Sequence, residues 1–242
     1  MNTKAEIFNE IVEERRSIRI YDAQFPFDES AVTRSLERAL LSPNSSNLQL
    51  WEFYRVKTKS KKEELVTYCL GQKSAKTANE LIVIVTRKDK WKKHANFILK
   101  EAMNDFPDKL EKKHHLIMNY YKKLIPALYY SDVADISGKL KKIAADFSGT
   151  FKPIPREVTA TDVRIVVHKS AALAAQTFML SMKAEGYDSC PMEGYDSERV
   201  KKFLKLPKAA EINMIISVGK AKPEGIYGKR VRVPKNEVLF EI

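Results

Sequence analysis

The order of apolar and polar positions changes period several times along the chain, and each change predicts an element. Ile7, Phe8, Ile11 and Val12 recur at helical spacing, then give way to alternation through Arg15-Arg16-Ser17-Ile18-Arg19-Ile20-Tyr21. In an extended chain Arg15, Ser17 and Arg19 project to one side. A second helix is predicted from Phe27-Asp28-Glu29-Ser30, an acidic start ahead of Val32, Leu36, Ala39 and Leu40. Pro43 stops it. A loop dense in short amide and hydroxyl side chains follows, Ser42-Pro43-Asn44-Ser45-Ser46-Asn47, and then a strand over 51–56.

A helix over 63–70 leads through Gly71-Gln72-Lys73 to a further helical turn. Leu81-Ile82-Val83-Ile84-Val85-Thr86 is an unbroken, β-branched apolar run, as a strand buried on both faces and central in its sheet would be. From about 87 to 157, charges and aromatics interleave at helical spacing, which reads as a helical excursion from one domain spanning 1–242. Such a block can lie over a site as a lid, or its aromatics can simply pack it onto the body. Pro153-Ile154-Pro155 is a stiff connector, and a long helix over 162–185 is small and apolar around most of its circumference, closed by Gly186. A short turn over 188–196, a helix over 198–204 capped by Ser197, and a core strand over 212–219 come next. Arg230-Val231-Arg232-Val233 repeats the alternating basic pattern, and Val238 to Ile242 is apolar enough to dock.

The composition narrows the classes. With 242 residues, 44% of them hydrophobic, the chain buries a sizeable core. Forty-three Lys+Arg against 31 Asp+Glu give a net charge of +12, which points to anionic partners without choosing among them. The two cysteines, Cys69 and Cys190, lie far apart in sequence and build neither a disulfide framework nor a zinc cluster. The N-terminus shows no basic-then-apolar leader and no window is apolar enough to span a bilayer, so a cytoplasmic protein is expected.

No GxGxxG, Walker loop, HExxH or GxSxG occurs, and no metal site is expected. Reactivity borrowed from a cofactor fits these absences. Two guanidiniums flanking the Ser17 hydroxyl make a clamp suited to phosphate, because arginine offers planar bidentate donors; a basic turn facing water is the plain alternative.

Taken together, Arg15-Arg16-Ser17-Ile18-Arg19, the loop Ser42 to Phe53, Pro191-Met192-Glu193-Gly194-Tyr195-Asp196 and Arg230-Val231-Arg232-Val233-Pro234 resemble the signature series of the nitroreductase family, the FMN-dependent NAD(P)H oxidoreductases. The resemblance implies an α+β fold with a central, mainly antiparallel sheet wrapped by helices. It also implies an intertwined homodimer, each C-terminal tail crossing to the partner, with FMN bound at the interface and NAD(P)H as co-substrate. Carried over by residue, Arg15, Ser17 and Arg232 resemble the groups on the FMN phosphate and ribityl chain, helped by Arg16 and Arg230. Arg19 matches the basic residue near flavin N1 and O2. Pro43, Asn44, Ser45 and Asn47 resemble the loop reaching the other subunit's flavin. Within Pro191-Met192-Glu193-Gly194, the backbone at Glu193 and Gly194 resembles the turn facing N5, and Gln72 lies where an amide meets the pyrimidine edge. The implied reaction is a ping-pong hydride transfer to a flat small-molecule acceptor such as a nitroaromatic or quinone, with no acid-base side chain required. A specialised flavin reaction without NAD(P)H, such as reductive dehalogenation or metabolite oxidation, stays open, as does a basic nucleic-acid-binding module. The expected partners exclude nucleic acid and membrane.

Overall fold

The computed structural model describes residues 2–132 and 134–242. Its helices and strands run α1 (Lys4–Glu14), α2 (Glu29–Leu40), β1 (Trp51–Val56), α3 (Lys59–Tyr68), α4 (Lys73–Thr77), β2 (Glu80–Thr86), α5 (Trp91–Asn104), α6 (Lys112–Asn119), α7 (Ile125–Tyr129), α8 (Ile136–Ser148), α9 (Ala160–Ala184), β3 (Asp188–Met192), α10 (Ser197–Phe203) and β4 (Glu211–Gly219). A π-helical turn, Tyr120–Leu124, joins α6 to α7. The strands form one sheet in the order β1-β2-β4-β3, and every pair is antiparallel.

The apolar run that predicts a central strand becomes β2, buried along its whole length. Because side chains alternate across a strand, Leu81, Val83 and Val85 enter one core with Leu65 of α3, Cys69 just beyond its end, Ala75 of α4 and Val200 of α10. Ile82 and Ile84 enter the other with Ala171, Ala174, Ala175 and Phe178 of α9 and Val32 of α2. The sheet is therefore sandwiched between two helical layers. A Thr159–Asp162 capping box starts α9, and Gly186 follows its end at φ +82°, a left-handed position that glycine takes without strain. Small residues let α9 lie close to the sheet, while Phe178 and Met182 are fully buried, each contributing about 1.5–3 kcal/mol through removal from water.

The expected excursion is built of α5 to α8 and the π-helical turn. A third cluster, including Leu48, Leu50, Ala95, Ile125, Tyr129, Val163 and Val167, ties it to α9 and to the loop before β1. Its aromatics divide accordingly: Tyr129 is packed, while Phe97, Tyr130, Phe147 and Phe151 face outward.

Several local expectations are corrected. Residues 188–192 form the edge strand β3, where a turn was expected; Pro191 is tolerated because β4 is its only ladder partner, the outer side of β3 being bridged at Ser189 alone among the described residues, so its missing N–H breaks no ladder bond. Asp196, not Ser197, caps α10, its carboxylate accepting from the Arg199 N–H. The apolar stripe of α1 is left uncovered, with Phe8 58% exposed, and the apolar side chains of Val238 to Ile242 are exposed rather than packed on the described residues, which leaves open what the tail docks on.

Candidate functional site

The alternation after α1 has a physical anchor. Ile18 and Tyr21 are each 1% exposed and hold the segment to the body. The Tyr21 hydroxyl donates to the Ser217 carbonyl at 3.0 Å and lies 2.9 Å from the Ser217 hydroxyl; burial holds it protonated by raising its pKa well above the ordinary phenol value. Ser17 bridges Ser189 of β3, the Ile18 N–H donates to the Ser189 carbonyl at 3.2 Å, and the Arg19 N–H donates to the Gly225 carbonyl at 2.8 Å. Only glycine fits at 225, since a Cβ there would lie 2.4 Å from the Ile20 carbonyl oxygen. With Ile18 fixed inward, Ser17 and Arg19 turn the other way.

The closing basic segment meets this one directly. Arg230 Nη2 donates to the carbonyls of Glu13 and Arg15, both at 2.7 Å, and Arg16 Nη2 donates to the Gly228 carbonyl at 2.7 Å. The result is a cleft of about 240 Å³ whose lining includes Arg15, Arg16, Ser17, Arg19, Arg230 and Arg232. No carboxylate lines it, and the ion pairs among the described residues are made elsewhere, as in Arg34–Glu185, Arg55–Glu80 and Arg87–Glu52. Arg15 is half-buried, and burial, then the charges of Arg230 and Arg232, push its pKa below the ordinary guanidinium value. Beside Ser17, the buried Ser189 hydroxyl has no hydrogen-bond partner. An uncompensated cluster with unused donors fits a multiply charged oxyanion such as a phosphate monoester.

Beyond the cleft the same surface continues along the end of β3. Arg19 Nη1 lies 3.2 Å from Cys190 Sγ, whose thiol pKa is raised by burial despite the opposing pull of Arg19. The Ser74 hydroxyl donates to Met192 Sδ at 3.2 Å, and Gln72 Nε2 donates to the Gly194 carbonyl at 2.7 Å. Glu193 and Gly194 are exposed, Pro191 half-buried. Arg19, Gln72 and the 191–194 segment are thus brought together. Sequence reading missed Cys190 and Ser189, which matter through cross-strand neighbours, and also Tyr227 and Lys229, which line the cleft. For the last two, the basic closing segment was the available signal.

Pro43, Asn44, Ser45 and Asn47 are not brought into this cleft. Their loop precedes β1, whose Trp51 pairs with Thr86 at one end of β2, whereas Ser189 and Glu80 both pair with Val218 at the other. Locally the loop is well defined: Asn44 Oδ1 accepts from the Gln49 N–H at 2.8 Å, and the Ser45 N–H donates to Ser170 Oγ at 3.2 Å. Ser46, Asn47 and Gln49 take positive φ of 56°, 53° and 49°. A larger cavity of about 770 Å³ opens at the β1 edge between Leu36, Trp51, Phe53 and Phe97, and shares no lining residue with the arginine cleft.

An antiparallel sheet sandwiched by helices, with an unpaired arginine cleft where its two terminal segments meet, defines an α+β protein equipped for an anionic ligand. The chain belongs to the nitroreductase family, whose model matches residues 12–220. It is 28% identical over 232 residues to YdgI of Bacillus subtilis, which carries the provisional name of an NAD(P)H nitroreductase, covering 95% of this chain and 96% of that one. Protein DrgA of Synechocystis is 25% identical, with 93% and 91% covered. Among solved structures, the provisionally named nitroreductase ydfN of Bacillus subtilis superposes with a TM-score of 0.75 at 24% identity, over 99% of this chain and all of that one. A protein of Exiguobacterium sibiricum solved in complex with FMN gives 0.68 at 23%, with 97% of each chain covered. The fold expected from the resemblance is borne out. Among the described residues, no helix is long and apolar enough to cross a membrane.

Proposed function

We propose that the protein is an FMN-dependent NAD(P)H oxidoreductase that reduces flat, electron-poor small molecules such as nitroaromatics and quinones. The observation that carries this is the cleft where Arg15, Arg16, Ser17, Arg230 and Arg232 converge with no carboxylate among them. In this reading those five hold the FMN phosphate, and the partial desolvation of Arg15 sharpens its attraction for a dianion. FMN, when bound, supplies a two-electron relay at N5 between the nicotinamide and the acceptor. Arg19 sets a fixed positive charge against the pyrimidine edge, held in place by its contact with Cys190. Gln72, tied to the Gly194 carbonyl, orients the 191–194 segment, so that backbone rather than an acidic or basic side chain meets the reacting face. Nicotinamide and acceptor would take turns at one site, where binding supplies the alignment that hydride transfer needs.

The working unit is proposed to be a homodimer of single domains, each spanning 1–242 with the excursion at about 87–157. Three features support it. The 43–47 loop lies far from its own chain's cleft, Phe240 and its apolar neighbours are exposed, and β1 has an open edge beside an apolar hollow. The loop would reach the partner's flavin, and the tail would cross to pair with the partner's sheet. Cys69 and Cys190, both buried and unpaired, suit a cytoplasmic setting.

The visible spectrum of the purified protein is the direct test. A flavin band that bleaches on anaerobic addition of NADPH and returns with a quinone is expected; a colourless protein that takes up no added FMN refutes the reading. A yellow colour that persists in NADPH and in NADH moves the reaction to a flavin chemistry without nicotinamide.

A further inference from the structure

Between α5, α7 and α8 the excursion forms a second hollow, open to solvent and of about 700 Å³, within the range of small-molecule sites. Its walls carry three aromatic rings, Trp91, Tyr121 and Tyr130, and three cations, Lys92, Lys122 and Lys141. No Asp or Glu lines it. Among the described residues Lys92 and Lys122 form no ion pair, and Lys141 Nζ donates only to the Tyr130 carbonyl, at 2.8 Å, beside the Tyr130 ring. Trp91 is braced from behind by Tyr129, their ring centroids 6.2 Å apart.

The wall that bears Tyr121 and Lys122 is the π-helical turn Tyr120–Leu124. Such turns are rare and recur where a helix must present side chains that a regular helix would turn aside. This one is pinned from outside: the Tyr121 hydroxyl donates to the Ser46 carbonyl at 3.1 Å, and the Tyr120 hydroxyl lies 2.7 Å from Ser46 Oγ. Ser46 belongs to the loop before β1, so the hollow and that loop share a wall.

We propose that this hollow is a binding site for a planar aromatic anion, a carboxylate or sulfonate, with the ring system against Trp91, Tyr121 and Tyr130 and the acid group among the three lysines. Aromatic faces supply apolar area and stacking, while unpaired ammonium groups at the rim supply the charge selection that a purely apolar pocket lacks. The site shares no residue with the arginine cleft and does not depend on the flavin reading.

Naphthalene-2-sulfonate and the neutral naphthalene-2-methanol, titrated into the purified full-length protein, test the proposal. The protein has two tryptophans, so a Trp51→Phe background makes Trp91 the reporting indole. Saturable quenching by the sulfonate at one site per chain is expected, at least tenfold tighter than the alcohol and weakened at least tenfold by Lys122→Gln with Lys141→Gln. Glutamine at 141 keeps a donor for the Tyr130 carbonyl, and circular dichroism checks that the variant folds. Lack of saturation, equal affinity for the alcohol, indifference to the two glutamines, or loss of binding in Arg232→Ala instead would each overturn it.

Discussion

Replacing Arg15 with alanine is expected to move two quantities in opposite directions. In the cofactor-free protein Arg15 is half-buried among Arg16, Arg230 and Arg232, and its guanidinium is disfavoured by burial and by their charge. Like-charge repulsion at a partly solvated site is of order 0.5–1 kcal/mol, so its removal should raise the melting temperature of the apoprotein by about 1–4 °C in a chain of this size. With FMN present, the same side chain would make charge-assisted hydrogen bonds to a phosphate, each about 1.5–3 kcal/mol, so Arg15→Ala should weaken FMN binding by roughly 10- to 150-fold. Quenching of FMN fluorescence on titration with apoprotein gives the dissociation constant, and differential scanning fluorimetry on the same sample gives the melting temperature. A residue serving only the fold would lower both affinity and stability. A change in affinity below about threefold, or an apoprotein that melts lower than wild type, would refute the assignment of this cleft to the phosphate.

Other consequences are checked more briefly. Arg19→Ala should slow flavin reduction and make the potential more negative, by about 30–60 mV if one charge-assisted hydrogen bond is lost, as read by dye-linked titration. Deleting 234–242 leaves every cleft arginine in place but removes the exposed Val238, Leu239, Phe240 and Ile242, so dimer content in sedimentation should fall before phosphate affinity does. Burial pushes the Cys69 thiol up to about 12 and raises Cys190 as well, so neither should react with a disulfide reagent at pH 8 until the protein unfolds, when two thiols appear. The carboxylate of Asp132, held near 2 by N–H groups of Ser137 and Ile136, contributes stability that is complete above its ordinary value of 3.8 and is lost as pH falls towards 2. Asp132→Ala should therefore lower the melting temperature at pH 7 and make little difference at pH 2.

The parts of the fold that were legible in the sequence are those where one physical cause dominates. Leu81 to Thr86 had to be a central strand because a run apolar on both faces has nowhere else to go, and Gly186 had to follow a helix end. The strand β3 was hidden because Asp-Ser-Cys-Pro-Met has neither alternation nor β-branched residues, and its pairing rests on β4 and on Ser17, remote in sequence. At the cleft, residue type and alternation announced Arg15, Ser17 and Arg19, and the basic repeat announced Arg230 and Arg232. Cys190 and Ser189 were invisible because their roles come from facing Arg19 and Ser17 across a sheet edge. The uncovered stripe of α1 was legible as amphipathic, but periodicity does not say which surface covers a stripe.

The hydrogen bond from Arg230 to the Arg15 carbonyl joins positions 215 apart. During synthesis the first half of this clamp leaves the ribosome long before its counterpart, and stays without it until those 215 further positions have been translated. Nascent chains should therefore be unable to capture cofactor, and premature termination anywhere upstream of the last basic segment should yield polypeptide that other cellular machinery meets in its colourless form.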